Sequence, residues 1–253
     1  GIYGAGLSTA VSQIISFVIL LVLYLKMAQS TISIRAVSRR FSVYLSIVRV
    51  GLPSLIRQGL ASVSNGLLNN LTKPFGDAAI AAMSVVNRFS AFVLCVGLGI
   101  GQGFQPVASF NYQAKKYTRV KKGLLFTMLL GFLSVGVMSV CGFIFAKPIV
   151  YVFQKSPDVL RIGVPALRYA TVGLLFLPLS VPVNMLYQSI RKAGTASFLA
   201  LLRSGGTFIP AILIGSALFG LTGIQLAQPI ADFLTGLISL PFALHFLHTT
   251  PKA

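Results

Sequence analysis

The sequence predicts an all-α integral membrane protein, a polytopic helical bundle of about seven transmembrane helices. Of its 253 residues, 55% are hydrophobic and only 9% are charged, whereas about a quarter of an ordinary soluble domain is charged. The mean hydropathy of +0.86 is correspondingly high. The apolar residues also form successive runs of about 20 residues or more, which is the length that a helix needs to cross the hydrocarbon core of a bilayer.

The charged residues are almost all basic: 21 lysines and arginines stand against 3 acids, for a net charge of +18. In a soluble chain this excess would indicate a nucleic-acid partner. Here most basic residues lie in short segments between apolar runs, where they set the orientation of helices in the membrane. We therefore expect a lipid bilayer and no nucleic acid as partner. The protein is predicted to cross the cell (plasma) membrane several times, with its C-terminus in the cytoplasm.

The first two predicted spans differ in polarity. Residues 2–26 are apolar almost throughout, and the basic segment 27–46 that follows them is typical of a cytoplasmic linker. The second span, at about residues 47–71, is interrupted by proline, arginine and amide residues. A charged group at membrane depth is costly unless it faces a cavity or a partner, so this span needs one or the other beside it.

The third and fourth spans flank the most basic loop of the chain. Residues 73–77 read as a tight external turn, and the third span follows at about residues 78–110. It contains glycines at alternate positions from 97 to 103, which let helices approach closely in a bilayer. Basic residues between 115 and 122 mark a cytoplasmic loop, and the fourth span follows at about residues 124–146.

Proline punctuates the last three spans, at about residues 169–190, 196–218 and 222–244. The mixed segment before them, residues 147–168, is predicted to lie along the outer interface. A proline inside a helix removes a hydrogen bond and kinks the helix. We expect such kinks at Pro178, Pro182, Pro210 and Pro229.

A short pattern occurs at both ends of the chain: Gly1-Ile2-Tyr3-Gly4 and Gly220-Leu221-Thr222-Gly223 each open a predicted helix. The pattern suits two homologous halves of a membrane protein that each end in such a helix. The alternative is chance similarity between glycine-rich helix starts. In the first case the sequence divides into the last helix of a truncated N-terminal lobe (1–26), a cytoplasmic inter-lobe linker (27–46) and a six-helix C-terminal lobe (47–253).

Nothing in the sequence predicts an enzyme. It contains no glutamate and no nucleotide-binding motif, and no histidine stands near an acid. His245 and His248 are too few to hold a metal ion on their own. We therefore expect no catalytic residue, no metal site and no cofactor.

Several short stretches together resemble the multidrug and toxic compound extrusion (MATE) family of transporters, and the resemblance covers nearly the whole chain. Each stretch is weak alone, and together they are specific. A glycine is usual in the family where Gln113 stands, which is a small departure in a loop. The matching stretches are Gly51-Leu52-Pro53-Ser54 with Arg57-Gln58, Phe75-Gly76-Asp77 through Asn87-Arg88, Gly101-Gln102-Gly103-Phe104-Gln105-Pro106 with Asn111-Tyr112 and Ala114-Lys115, and Gln228-Pro229-Ile230-Ala231-Asp232.

The resemblance implies a twelve-helix exporter built from two six-helix bundles. Such a protein would expel cationic, often aromatic, drugs by alternating access, in exchange for protons or sodium ions as the coupling ion. This chain would be its sixth helix and complete second bundle. Its partner would be the missing N-terminal lobe, which would also hold the acid to which proton coupling is attributed in many members.

Polar residues within the spans are the candidates for binding substrate or ion. Arg57, Asn65 and Asn69 can share one helical face, because offsets of eight and four residues approximate whole turns. They would either line a transport cavity or hold neighbouring helices together through hydrogen bonds. The other candidates without an acidic group are Gln58, Asn87, Arg88, Gln102, Gln105, Asn184 and Gln188.

Asp232 is the only acid well inside a predicted span. It would bind a proton or cation or attract a cationic drug, or it would pair with Arg57 or Arg88 as a structural partner. The sequence favours the ion pair, because nothing in it fixes the direction in which Asp232 points.

Two rival functions remain open from the sequence. One is a lipid-linked oligosaccharide flippase of the same superfamily, whose cavity should show several inward-facing arginines for a pyrophosphate group. The other is an inactive, truncated membrane bundle without transport activity. A drug exporter should instead show a mostly apolar cavity with an acid.

Overall fold

The computed structural model describes residues 2–27, 38 and 40–249. Nearly all of these residues are helical and none lies in a strand, which confirms the predicted all-α class. The α-helices are α1 (Ile2–Met27), α2 (Phe41–Thr72), α3 (Asp77–Gln113), α4 (Tyr117–Ile144), α5 (Ala146–Phe153), α6 (Pro157–Leu174), α7 (Leu177–Ser189), α8 (Ala193–Leu201), α9 (Phe208–Phe219) and α10 (Leu221–Thr249), with a 3₁₀ turn at Lys73–Phe75 and a π-helical turn at Leu202–Gly206.

The chain forms two compact units, Gly1–Tyr44 and Leu45–Ala253. The first contains α1, which is apolar and has exposed side chains along its length. The second is a helical bundle in which α3 packs against α4, α6 and α7, and α10 packs against α6, α7 and α9. Buried aliphatic side chains such as Leu167, Leu186 and Ile224 fill its interior.

The outer surface of the bundle is apolar. Large hydrophobic side chains on α3 and α4 are exposed there, and a soluble protein rarely exposes so many. This surface suits contact with lipid chains. Examples are Phe92, Phe110, Phe126, Leu129, Leu133 and Val137.

Four helices of the described residues are long and apolar enough to cross a membrane: α1, α3, α4 and α10. Helices α6 and α7 are long and apolar enough only as a pair, which is bent by 47° at the break between them. The predicted span at residues 47–71 corresponds to α2, which is too polar to count among these helices. The predicted span at residues 196–218 corresponds to α8 and α9, which the π-helical turn separates. Helix α2 begins at Phe41, before the predicted start at residue 47.

The second half of the predicted interfacial segment 147–168 belongs to helix α6, so the helix assigned to the fifth predicted span begins before residue 169. Residues 147–153 lie in the short helix α5, but α6 already begins at Pro157 and packs inside the bundle. Ser156 stands in the extended conformation at the N-cap, Pro157 occupies the first helical position and Asp158 lies in the first turn. These residues favour a helix start. The first N–H groups of a helix have no acceptor within it, so proline, which has no N–H, loses no hydrogen bond there. An acid in the first turn interacts favourably with the positive end of the helix dipole.

The break between α8 and α9 lies before Pro210 rather than at it. Pro210 stands in the first turn of α9, where its missing N–H costs little. The chain passes from α8 to α9 through the π-helical turn, which is closed by a hydrogen bond from the N–H of Thr207 to the carbonyl of Leu202 at 2.8 Å. This turn sets the direction of Arg203, which it contains.

Candidate functional site

The largest cavity described in the bundle has a volume of about 250 Å³ and lies between α2, α3, α6, α9 and α10. Most of its walls are apolar, and a few amides and one ion pair interrupt them. This composition is typical of a small-molecule site, in which a few polar groups fix the orientation of the ligand. Its lining includes Ala61, Leu68, Met83, Val86, Leu94, Leu174, Phe208 and Ile224, together with the polar residues Asn65, Asn87, Arg203, Gln225, Gln228 and Asp232.

Asp232 and Arg203 form an ion pair in the wall of this cavity. The Nε of Arg203 donates to Oδ1 of Asp232 at 2.8 Å, and Nε2 of Gln228 donates to the same oxygen at 3.1 Å. Asp232 is only 2% exposed. Its second oxygen, Oδ2, is buried and has no hydrogen-bond partner among the described residues, so the carboxylate is satisfied on one side only.

The expectation of an ion pair at Asp232 is therefore right in kind and wrong in partner. Neither Arg57 nor Arg88 pairs with Asp232; Arg203 does. Arg203 is not among the candidate residues predicted from the sequence. The π-helical turn contains Arg203. Just after it, a hydrogen bond between the hydroxyls of Thr207 and Thr235 (3.1 Å) holds the start of α9 against α10.

Two of the predicted amides meet at the rim of the same cavity. Nδ2 of Asn87 on α3 donates to Oδ1 of Asn65 on α2 at 2.9 Å. Gln225, which the sequence analysis did not single out, also lines the cavity and donates to the carbonyl of Ile162 at 3.2 Å. Each bond joins two helices, so these amides hold the bundle together while their side chains border the cavity.

A second group of predicted amides lies away from this cavity and also joins helices. Nε2 of Gln105 donates to Oε1 of Gln188 at 2.9 Å. Gln188 in turn donates to Oγ of Ser54 at 3.1 Å and to the carbonyl of Val50 at 3.3 Å. Asn184 donates to the carbonyl of Ala196 at 2.7 Å, across the turn between α7 and α8.

The predicted common face of Arg57, Asn65 and Asn69 is present only in part. Arg57 is half-buried and lines a second cavity of about 30 Å³, whereas Asn65 lines the large one. Asn69 is exposed and borders neither. The remaining candidates are also exposed and line neither of these two cavities: Gln58, Arg88 and Gln102.

Comparison with known proteins places this arrangement in a family. The MatE family model matches residues 53–214. The multidrug export protein MepA of Staphylococcus saprophyticus is 23% identical over 240 residues, which cover 94% of this chain and 53% of the relative. The chain thus spans about half the length of the curated relatives it matches.

Solved structures show the same fold. An outward-facing multidrug resistance MATE family transporter superposes with a TM-score of 0.86 at 20% identity, over 100% of this chain and 58% of its own. A variant of the Vibrio cholerae MATE transporter VcmN gives a TM-score of 0.83 at 18% identity, over 97% of this chain and 56% of its own. With a family model that matches most of the chain and a shared fold, this chain belongs to the MatE family of membrane transporters.

Proposed function

We propose that this chain forms part of a multidrug exporter of the cell membrane that expels cationic, aromatic compounds in exchange for protons or sodium ions. The observation that supports this most strongly is the buried carboxylate of Asp232 in the wall of a mostly apolar cavity. Apolar walls favour flat hydrophobic rings, and a carboxylate favours a positive charge. The relatives named multidrug export protein support the same proposal.

The ion pair offers a way to couple transport to an ion. A proton that binds Oδ2 of Asp232 removes the charge that Arg203 needs, and a cationic drug competes with Arg203 for the same carboxylate. In either case Asp232 exchanges one positive partner for another. Binding of a drug and binding of the coupling ion at Asp232 then exclude each other, as an antiporter requires.

Transport would proceed by alternating access, in which this lobe rocks against an N-terminal lobe around a shared cavity. The curated relatives are about twice as long as this chain, which leaves room for such a lobe in the whole protein. In this arrangement the bilayer and the second lobe are the partners, and the C-terminus lies in the cytoplasm.

The cavity does not favour a lipid-linked oligosaccharide flippase. Among the arginines described, Arg203 alone lines the large cavity, and Asp232 already neutralises it. Arg88 is exposed elsewhere on the bundle. A pyrophosphate group carries several negative charges and would need more than one free guanidinium group to bind it.

The test is dye efflux from cells that lack their own exporters, with the complete reading frame that encodes this chain. We expect the protein to expel a cationic dye such as ethidium and the Asp232→Asn variant to insert normally but lose efflux. If the variant pumps at the normal rate, Asp232 is structural and the coupling acid lies elsewhere. If the unaltered complete protein inserts but expels no cationic dye, the proposal fails and the flippase and inactive-bundle alternatives return.

A further inference from the structure

The smaller cavity of the bundle contains an unbalanced positive charge. Its lining includes both Arg57 and Arg203, together with Ser180, Asn184 and Thr235, and no acidic residue lines it in the described part of the chain. Nη1 of Arg57 is buried and has no hydrogen-bond partner among the described residues. A buried donor on a charged group is costly when it has no acceptor, so Nη1 of Arg57 needs an acceptor that the described side chains around it do not provide.

The neighbouring carboxylate does not supply that acceptor. Oδ1 of Asp232 already accepts from Arg203 and Gln228. Its other oxygen, Oδ2, makes no hydrogen bond with Arg57, and Asp232 does not line the small cavity. Arg57 and Arg203 together bring two positive charges to this part of the bundle, and Asp232 brings one negative charge. The cluster therefore retains one positive charge at membrane depth, where an uncompensated charge is expensive.

The cavity has room for a small ion that would neutralise this charge. A volume of roughly 10–15 Å³ is enough to hold one water molecule. The cavity, at about 30 Å³, therefore has space for a monatomic ion. Asn184 has a second amide hydrogen beyond the one it donates to Ala196, so it offers a further donor to a small anion.

We propose that a monatomic anion, chloride in the cell, binds in this cavity between Arg57 and Arg203. The anion accepts the unused hydrogen bond of Arg57 and brings the local charge to zero. It also gives Arg203 a second counter-charge, which weakens the hold of Arg203 on Asp232. The site shares Arg203 with the large cavity, but anion binding can be measured whether or not the protein has the transport activity proposed above.

Thermal unfolding of the complete, detergent-solubilised protein tests this site. Chloride is varied against gluconate at constant ionic strength, so that only the identity of the anion changes. We expect Tm to rise with chloride along a saturating curve. Replacing Arg57 with Gln removes charge-assisted hydrogen bonds, which should raise the half-saturating chloride concentration about tenfold or more. Arg161→Gln, at an exposed position of α6, should leave the curve unchanged.

If the Tm of the unaltered protein does not change as chloride replaces gluconate, the proposal is overturned and the cavity is filled by water. An unchanged chloride curve in Arg57→Gln would also overturn it, because the anion would then bind elsewhere. If Arg57→Gln does not insert, crystals of the unaltered protein soaked in bromide decide the question. An anomalous peak between the two guanidinium groups supports the site, and its absence there rejects it.

Discussion

Gly215 of α9 and Gly223 of α10 lie backbone to backbone, so that a methyl group on Gly223 would collide with the carbonyl oxygen of Gly215. Small residues permit this approach, which is how helices pack closely in membranes. The chain turns between them at Gly220, whose φ of +55° favours glycine. The Gly-x-x-Gly pattern that opens α10 therefore has a definite packing role.

We predict that Gly223→Ala strongly destabilises the protein, by at least the 1–3 kcal/mol or so that overpacking a core typically costs. The obstacle is backbone, which cannot move aside as a flexible side chain can. Thermal unfolding in detergent measures the effect. Gly136→Ala is the matched control, since nothing lies within 4 Å of its added Cβ and alanine favours the helix. Equal stability of the two variants would contradict the close contact.

Arg203→Gln should destabilise the protein by about 3–5 kcal/mol, because it leaves the buried carboxylate of Asp232 without its cation. The double variant Arg203→Gln/Asp232→Asn should recover much of this loss, since position 232 then carries no buried charge that needs a cation. The four proteins of this double-mutant cycle are compared by their free energies of unfolding. Additive effects of the two substitutions would show that the ion pair does not form.

Gln188→Met should loosen the attachment of α2. Gln188 joins Ser54 and Val50 of α2 to Gln105 of α3, and each interhelical hydrogen bond in a membrane contributes about 0.6–1.7 kcal/mol. Hydrogen exchange should accelerate in the first half of α2. Ser54→Ala removes one of these bonds only and should give a smaller change in the same segment. Exchange that stays at the wild-type rate in Gln188→Met would show that α2 is held by other contacts.

Filling the large cavity should block efflux without unfolding the protein. Ser90 lines this cavity from α3, and Ser90→Phe places a ring in it. We expect the rate of dye export to fall by an order of magnitude or more, since a difference of about 1.4 kcal/mol in substrate binding is already tenfold. Ser84→Phe makes the same change at an exposed position of α3 outside the cavity and should pump normally. A normal rate in Ser90→Phe would place the substrate path elsewhere.

The sequence predicted the helical class and most of the spans because long apolar runs report directly on the membrane. It also identified Asp232, since a lone acid in an apolar helix stands out. It missed Arg203, because that residue lies near a predicted span end and only the π-helical turn reveals its direction. An inserted residue turns the following side chains by about 100°, and no regular periodicity predicts such a turn.

The start of α6 was missed for a different reason. Ser156-Pro157-Asp158 is a good helix start, but the mixed composition of the segment, which includes Arg161 and Arg168, is typical of an interfacial segment. Both are exposed in the structure, and the guanidinium group of Arg168 lies 5.4 Å from the ring centre of Phe143. The opposite face of the helix, including Val159 and Leu167, is buried. An amphipathic helix therefore packs into the bundle where composition alone indicated a surface segment.

Helix α3 has one consequence for the membrane that surrounds the protein. With 37 residues it is about 55 Å long at 1.5 Å per residue, whereas the hydrocarbon layer is about 30 Å thick. Even at a tilt of about 40°, the upper end of the usual range, the helix extends beyond that layer by roughly a further 10 Å. Asp77, the first residue of α3, and the Lys115–Lys116 pair just beyond its last residue thus reach the hydrated headgroups. The bilayer therefore need not thin around this lobe to keep these charges hydrated.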